Sequence, residues 1–171
     1  MKKNLILTGM MGVGKTTIGK SLAKNLSYNF TDIDKVIENK EGTSINLIFK
    51  GKGENYFRKL ENKISLQELK KKKSVISLGG GAFVDNSIRR IVKDLAISFW
   101  LDVSVDELVK RLRKTKKRPL LFKKNLNETI NKIYLERKKI YSEADYRIKC
   151  NYLSPEKIVD QIMKIYEKSR N

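Results

Sequence analysis

Three observations predict an α/β fold for this chain, a three-layer α/β/α sandwich around a central, mostly five-stranded parallel sheet. Apolar runs of strand length alternate with amphipathic stretches of helix length, the pattern of a parallel sheet covered on both faces. The first apolar run leads into a glycine-rich turn and then a helical period. At 171 residues, the chain is sized for one domain with a substantial core, so 1–171 reads as a single unit.

The elements follow in order. "NLILT" (Asn4 to Thr8) reads as a buried strand and "GKTTIGKSLAKNL" (14–26) as the helix after it. "YNFTDID" (28–34) reads as a second short strand, and strand alternation then points Asp32 and Asp34 the same way at its C-terminal end. A helix is expected from about Lys35 to Lys40, and a longer helical region from Ser44 to Leu69, broken near "GKGE" (51–54). "SVISL" (74–78) is a strand that ends in Gly79-Gly80-Gly81, and "LAISFWL" (95–101) is another, with Ser104 placed to cap the helix that follows. "RIKC" (147–150) is the last strand, and Ser154-Pro155 supplies the N-cap and first position of the final helix. The segment Arg111 to Lys124, "RLRKTKKRPLLFKK", begins on a helix and carries eight positive charges. It repels itself and should stay mobile until an anion neutralises it, which suits a lid over 111–124.

Composition excludes several chemistries. Cys150 is the only cysteine and histidine is absent, so an internal disulfide, an ordinary zinc site and Ser-His or Cys-His nucleophiles are ruled out. Acid–base work falls to carboxylates or lysines, and Cys150 reads as a small half-buried residue at a strand end. The net charge of +19 suggests a polyanion partner, since basic surfaces bind phosphate backbones by counterion release. However, the lysines are spread along the chain, with one dense cluster at Lys70 to Lys73 and no aromatic–basic interleaving. A Lys/Asn/Ile bias of the kind AT-rich coding gives accounts for them, and no specific nucleic-acid partner is expected. No apolar run reaches the roughly 20 residues of a spanning helix. The start, "MKKNLILTGMMGVGK", imitates a signal peptide, but glycines break the run and Lys15 closes it. A cytoplasmic monomer with no membrane partner is expected.

"GMMGVGKT" (Gly9 to Thr16) fits G-x-x-x-x-G-K-S/T at every fixed position, after an apolar strand and before an amphipathic helix, as the phosphate-binding motif requires. In such a loop the backbone N–H groups of Gly12, Val13, Gly14, Lys15, Thr16 and Thr17 face phosphate oxygens, helped by the helix N-terminus. Lys15 would reach the β- and γ-phosphates, and the Thr16 hydroxyl would hold Mg²⁺. The motif implies ATP or another nucleoside triphosphate, not its acceptor. No N-K-x-D guanine motif is present and the chain is short for a motor, which leaves a small-molecule kinase as the leading class. Asp32 and Asp34 lie at the sheet edge where α/β folds bind ligands, one suited to the metal's water shell and the other to an acceptor hydroxyl. Asp34 capping the next helix is the plainer alternative. Three successive glycines after the third strand permit an approach that a Cβ would obstruct.

"GMMGVGKTTIGKSLA", "DIDKVIE", "IFKGKGENYFRKLE", "VISLGGGA", "RPLL" and "ERKKIYSEAD" stand in this order over essentially the whole chain, and in both order and spacing the chain resembles the shikimate kinases. The resemblance implies a P-loop kinase fold with a helical substrate flap (33–62) and a mobile lid, and transfer of the ATP γ-phosphoryl group to the 3-hydroxyl of shikimate. It implies that Arg58 and Arg137 clamp the substrate carboxylate, with Glu61 orienting Arg58. Asp34 would hold the acceptor hydroxyls and accept the proton, Asp32 would stand near Mg²⁺, and Gly80, with Gly79 and Gly81 alongside, would contact substrate. Phe49 and Phe57 would wall the pocket, and Arg118 would reach over the transferring phosphoryl group. Where the family often presents an arginine to stack on adenine, four residues before the lid arginine, this chain has Lys114, with Arg111 and Arg113 close by and Pro155 opposite. A kinase for another small acid such as gluconate, and a nucleic-acid-binding ATPase, are the rival readings.

Overall fold

The computed structural model describes residues 4–114 and 125–169. β1 (Asn4–Thr8), β3 (Ser74–Ser77) and β4 (Ala96–Asp102) are buried along their whole lengths, as continuous apolar strands are when helices cover both faces of a parallel sheet. β2 (Asn29–Asp32) and β5 (Tyr146–Lys149) are the partly exposed edges. The order is β2-β3-β1-β4-β5, and every pairing is parallel. From β1 the chain runs outward to β2 on one side and later crosses to β4 on the other, so the carboxyl end of β1 is the topological switch point, where such sheets bind ligands.

The covering helices are α1 (Lys15–Leu26), α2 (Ile33–Glu41), α3 (Ile45–Leu69), α4 (Asn86–Leu95), α5 (Val105–Arg113), α6 (Leu126–Tyr141) and α7 (Pro155–Lys168), with one 3₁₀ turn at Ala82–Val84. The expected break in the long helix is a kink at Gly53, where φ is 81° and ψ 169°. Ser104 and Ser154 cap α5 and α7 as expected, with Pro155 at the first position of α7. Two helices were not assigned from the sequence. α4 is capped by Asp85, which accepts from Ser87 N at 2.8 Å, and buries Ile88 and Val92. α6 buries Leu126, Ile130 and Tyr141 and begins at Asn125 rather than at a side-chain cap.

One strand is shorter than its sequence suggested. β2 stops at Asp32, whose carboxylate caps α2 through Lys35 N, so Asp34 already lies in the first turn of a helix. The alternation argument for the two aspartates therefore fails, and the cap is Asp32 rather than Asp34. The N-cap hydrogen bond and the following apolar positions Ile33 and Ile37 favour the helix two residues before the expected Lys35.

Two polar clamps hold the strand ends. Asn4 donates to the carbonyls of Leu69 and Lys71 and accepts from Ser74 N at 3.0 Å, closing the α3–β3 connection. Asp145 accepts from both N (2.8 Å) and Oγ (2.7 Å) of Ser98, fixing the end of α6 to β4. Among the described residues no helix is long and apolar enough to cross a membrane.

Cys150 is fully buried rather than half-buried. Burial pushes its thiol up from an ordinary value of 9.0 to about 12. Because the folded value is raised, this group favours the folded state below pH 9 and loses that contribution as the pH rises through about 12. The thiolate is the nucleophile, so iodoacetamide at pH 8 should alkylate native Cys150 at least about a thousandfold more slowly than the unfolded chain, as read by mass spectrometry with and without denaturant.

Candidate active site

The loop between β1 and α1 carries the donor side. α1 is N-capped by Gly14 in the left-handed region (φ 98°), with no side chain occupying the cap and no acidic residue in the first turn. Its amide donors and dipole are therefore turned toward an incoming anion. Lys15 Nζ donates to the carbonyls of Gly9 and Met10, both at 2.9 Å, which sets the ammonium across the mouth of the loop. Thr16 Oγ1 donates to Asp32 Oδ2 at 2.6 Å, bringing a hydroxyl and a carboxylate together beside the phosphate site. Arg111 donates from Nη1 to the Val13 carbonyl at 3.4 Å while Glu107 holds its Nε at 2.9 Å. Its charge also acts on Cys150. Arg113 and Lys114 are exposed.

The acceptor side is built around the three glycines after β3. A Cβ on Gly79 would lie 2.5 Å from Glu61 Oε1 and 2.7 Å from Asp34 Oδ1, and one on Gly81 would lie 2.3 Å from Arg58 Nη1. Bare backbone here lets α2 and α3 bring three charged groups against one turn. Arg58 donates to Glu61 Oε2 at 2.6 Å and, at 3.4 Å, to Glu54 Oε1, with its guanidinium carbon 5.2 Å from the centre of the Phe57 ring. Phe57 is buried against Phe49, their ring centres 4.7 Å apart. Burial raises the Glu61 carboxyl above its ordinary value against the pull of Arg58, and Asp34 adds to the rise. At Arg58, burial opposes the charge, but Glu61 and Glu54 outweigh it and the guanidinium is raised. From α6, Arg137 Nη1 donates to the Gly80 carbonyl at 2.9 Å. Arg58, Glu61, Gly81 and Arg137 line a cavity of about 430 Å³, large enough for a small organic acid.

Comparison with known proteins decides among kinases with this architecture. Residues 11–167 match the family model for shikimate kinase. A shikimate kinase of Persephonella marina is 43% identical over 161 residues, covering 94% of this chain and 97% of that protein. The chain belongs to the shikimate kinase family. The structure of shikimate kinase from Acinetobacter baumannii in complex with shikimate superimposes with a TM-score of 0.92 at 32% identity, covering 98% of this chain and 94% of that one. The Aquifex aeolicus shikimate kinase does so with a TM-score of 0.86 at 35% identity, covering 98% of each chain. Like the other shikimate kinases, this chain is an ATP-dependent kinase with a P-loop fold.

Most shikimate kinase residues anticipated from the motifs converge. Lys15, Thr16 and Asp32 gather at the phosphate loop. Arg58, Glu61 and Asp34 gather at Gly79 and Gly81, and Arg137 at Gly80. Asp34, Phe49 and Phe57 support the arginine cavity without lining it. Arg118 and most of the 111–124 segment lie outside the described residues. Sequence reasoning missed Tyr141, whose hydroxyl donates to the Gly80 carbonyl, although it lies four residues after Arg137 in "ERKKIYSEAD" and so on the same helical face. It also missed Asp102, which takes Tyr134 of α6 at 3.0 Å and Arg147 of β5 at 2.5 Å and so fixes the helix that carries Arg137.

Gly81→Ala tests the close approach. Gly81 has ordinary right-handed geometry (φ −100°), and the atoms its Cβ would meet are the far end of a flexible side chain. The substitution should therefore barely change the thermal midpoint while displacing Arg58, lowering turnover at limiting shikimate about tenfold or more through lost charge-assisted hydrogen bonds.

Proposed function

We propose that this chain transfers the γ-phosphoryl group of ATP to the 3-hydroxyl of shikimate, giving shikimate 3-phosphate, and that Arg58 and Arg137 clamp the substrate carboxylate. The observation that carries the reading is the pair of guanidiniums on one cavity beside a phosphate loop. A planar fork binds a carboxylate through two parallel hydrogen bonds, which a lysine cannot do. The solved structure of the related Acinetobacter baumannii enzyme with shikimate supports the choice of acid.

The residues take their roles from position. The amides of Gly12, Val13, Gly14, Lys15, Thr16 and Thr17 cradle the phosphates, and Lys15 neutralises charge on the group in transfer. Asp34, held against Gly79, accepts hydrogen bonds from the acceptor hydroxyls and takes the proton of the attacking one. Gly80 contacts the substrate from below. Arg118 belongs to the reading as the lid cation that stabilises charge as the bond breaks, with 33–62 as the substrate flap and 111–124 as the lid that excludes water. Arg111 is the base-stacking candidate that the geometry favours over Arg113 and Lys114, since it alone of the three is tied to the phosphate loop.

Thr16 and Asp32 fit Mg²⁺, offering a hydroxyl and a single carboxylate only 2.6 Å apart, the sparse hard-oxygen set that this ion uses when nucleotide phosphates supply further ligands. Among the described residues no group of three acidic, histidine or cysteine side chains would form a metal cage. When bound, the ion would neutralise phosphate charge. A cytoplasmic monomer fits the same reading, because one chain supplies both sides of the site.

Steady-state kinetics with shikimate, quinate and gluconate test the acceptor. Turnover restricted to shikimate supports the proposal, and preference for gluconate overturns it. Arg58→Lys keeps a charge beside Glu61 but loses the fork, so the shikimate KM should rise about ten- to hundredfold with the ATP KM unchanged; equal rises in both would refute the clamp. Lys15→Ala should retain the thermal midpoint and lower kcat by about a thousandfold or more, measured in a coupled assay.

A further inference from the structure

Tyr141 has no exposed surface. Its ring packs 6.0 Å from that of Trp100, centre to centre, and its oxygen lies 3.9 Å from Met10 Sδ. Nothing in those apolar surroundings requires a hydroxyl, and burying one without a partner is costly. The oxygen nevertheless has a partner in the acceptor site. It donates to the Gly80 carbonyl, the atom that also accepts Arg137 Nη1 at 2.9 Å. The Arg137 charge also acts on the phenol. Guanidinium and phenol are thus joined through one shared acceptor, the Gly80 carbonyl. Burial holds the phenol above its ordinary value of 10.0, so its proton remains available to the carbonyl at neutral pH.

We propose that Tyr141 is a positioning residue for Arg137, holding the guanidinium and the Gly80 peptide in the one orientation that receives the substrate carboxylate. The proposal rests on the reading of Arg137 as half of the clamp. The hydrogen bond to a carbonyl that Tyr141 also holds restrains the guanidinium from rotating about its terminal torsions. Its remaining N–H groups then face the cavity in a fixed plane, and less conformational entropy is lost when the acid binds. Gly80 accepts from two donors on one helix, which ties the glycine turn to α6.

Tyr141→Phe removes one oxygen and leaves the ring packing. The shikimate KM is expected to rise about five- to tenfold, the effect of one lost hydrogen bond, with the ATP KM and kcat unchanged and cooperative thermal unfolding retained. In an Arg137→Ala background the same substitution should have no further effect on the shikimate KM, because there is nothing left to position. An unchanged shikimate KM in the single variant, equal rises in both KM values, the same factor in the Arg137→Ala background, or loss of cooperative folding would each overturn the proposal. If Arg137→Ala itself leaves the shikimate KM unchanged, the clamp fails and this inference with it. A silent Tyr141→Phe beside an impaired Arg137→Ala sinks the inference alone.

Discussion

The acceptor half of this enzyme depends on the absence of side chains at one turn. The Glu61 and Asp34 carboxylates and the Arg58 guanidinium all occupy space that a Cβ at Gly79 or Gly81 would fill. Charges drawn so far out of water are costly unless paired, and the arrangement shows both sides of that balance. Glu61 is 3% exposed and its carboxyl is raised by burial despite an ion pair at 2.6 Å. Arg58, shared between Glu61 and Glu54, remains firmly charged. Glu61 thus serves chiefly to hold the guanidinium, since a lone buried carboxylate would not be stable there. The same turn sets the limits of substitution: a Cβ at Gly79 meets the carboxylates of α2 and α3 and one at Gly81 meets the guanidinium of α3, whereas one at Gly80 meets nothing nearer than 3.5 Å.

Sheet order then brings the acceptor to the donor. β3 is paired with β1, with Leu78 N donating to the Leu7 carbonyl at 3.0 Å just before both chains leave the sheet. The two glycine-rich turns consequently touch: a Cβ on Gly80 would lie 3.5 Å from Met11 N and 3.7 Å from the Gly9 carbonyl. The backbone proposed to cradle phosphate and the backbone proposed to lie beneath the acceptor form one contiguous surface built on two central, fully buried strands. For a reaction in which positioning and charge neutralisation supply most of the rate, that rigidity is the relevant property. Two hydrogen bonds from α6 to the Gly80 carbonyl tie that helix to the same surface.

Much of this was legible in the sequence because its signals are local. The strands at Asn4–Thr8 and Ser74–Ser77, the kink at Gly53, and the caps at Ser104 and Ser154 each follow from a short run of residue types. Asp34 was misplaced because alternation and helical spacing are indistinguishable over "FTDID", and the competing cap at Asp32 decided the matter. Tyr141 and Asp102 went unremarked for another reason. Their partners are the Gly80 carbonyl and Arg147, 61 and 45 residues away, and no pattern along the chain announces a contact made across the fold. α4 and α6 carried readable apolar periods, Ile88 with Val92 and Leu126 with Ile130, that were not assigned to helices.

Arginine placement shows which of these positions the composition obscures. The chain has nine arginines among 38 basic residues, and those described fall into two groups. Arg90 and Arg113 are exposed. The other five each make contacts that use more than a point charge. Arg58 spans two carboxylates, Arg89 joins Glu143 to the carbonyls of Phe83 and Val84, Arg111 joins Glu107 to Val13, Arg137 holds Gly80, and Arg147 binds Asp102 while lying 4.7 Å over Trp100. The lysine pairs at Lys35–Glu38, Lys52–Glu41 and Lys71–Glu68 instead hold ammonium groups whose side chains are half or more exposed, where an ion pair contributes little. Five of the seven described arginines thus stand where more than a point charge is used, whereas these lysine pairs supply a point charge alone. In such a chain the residue type itself carries information about geometry: an arginine that stands beside a glutamate and opposite a glycine turn marks a position where the direction of the hydrogen bonds matters more than the charge.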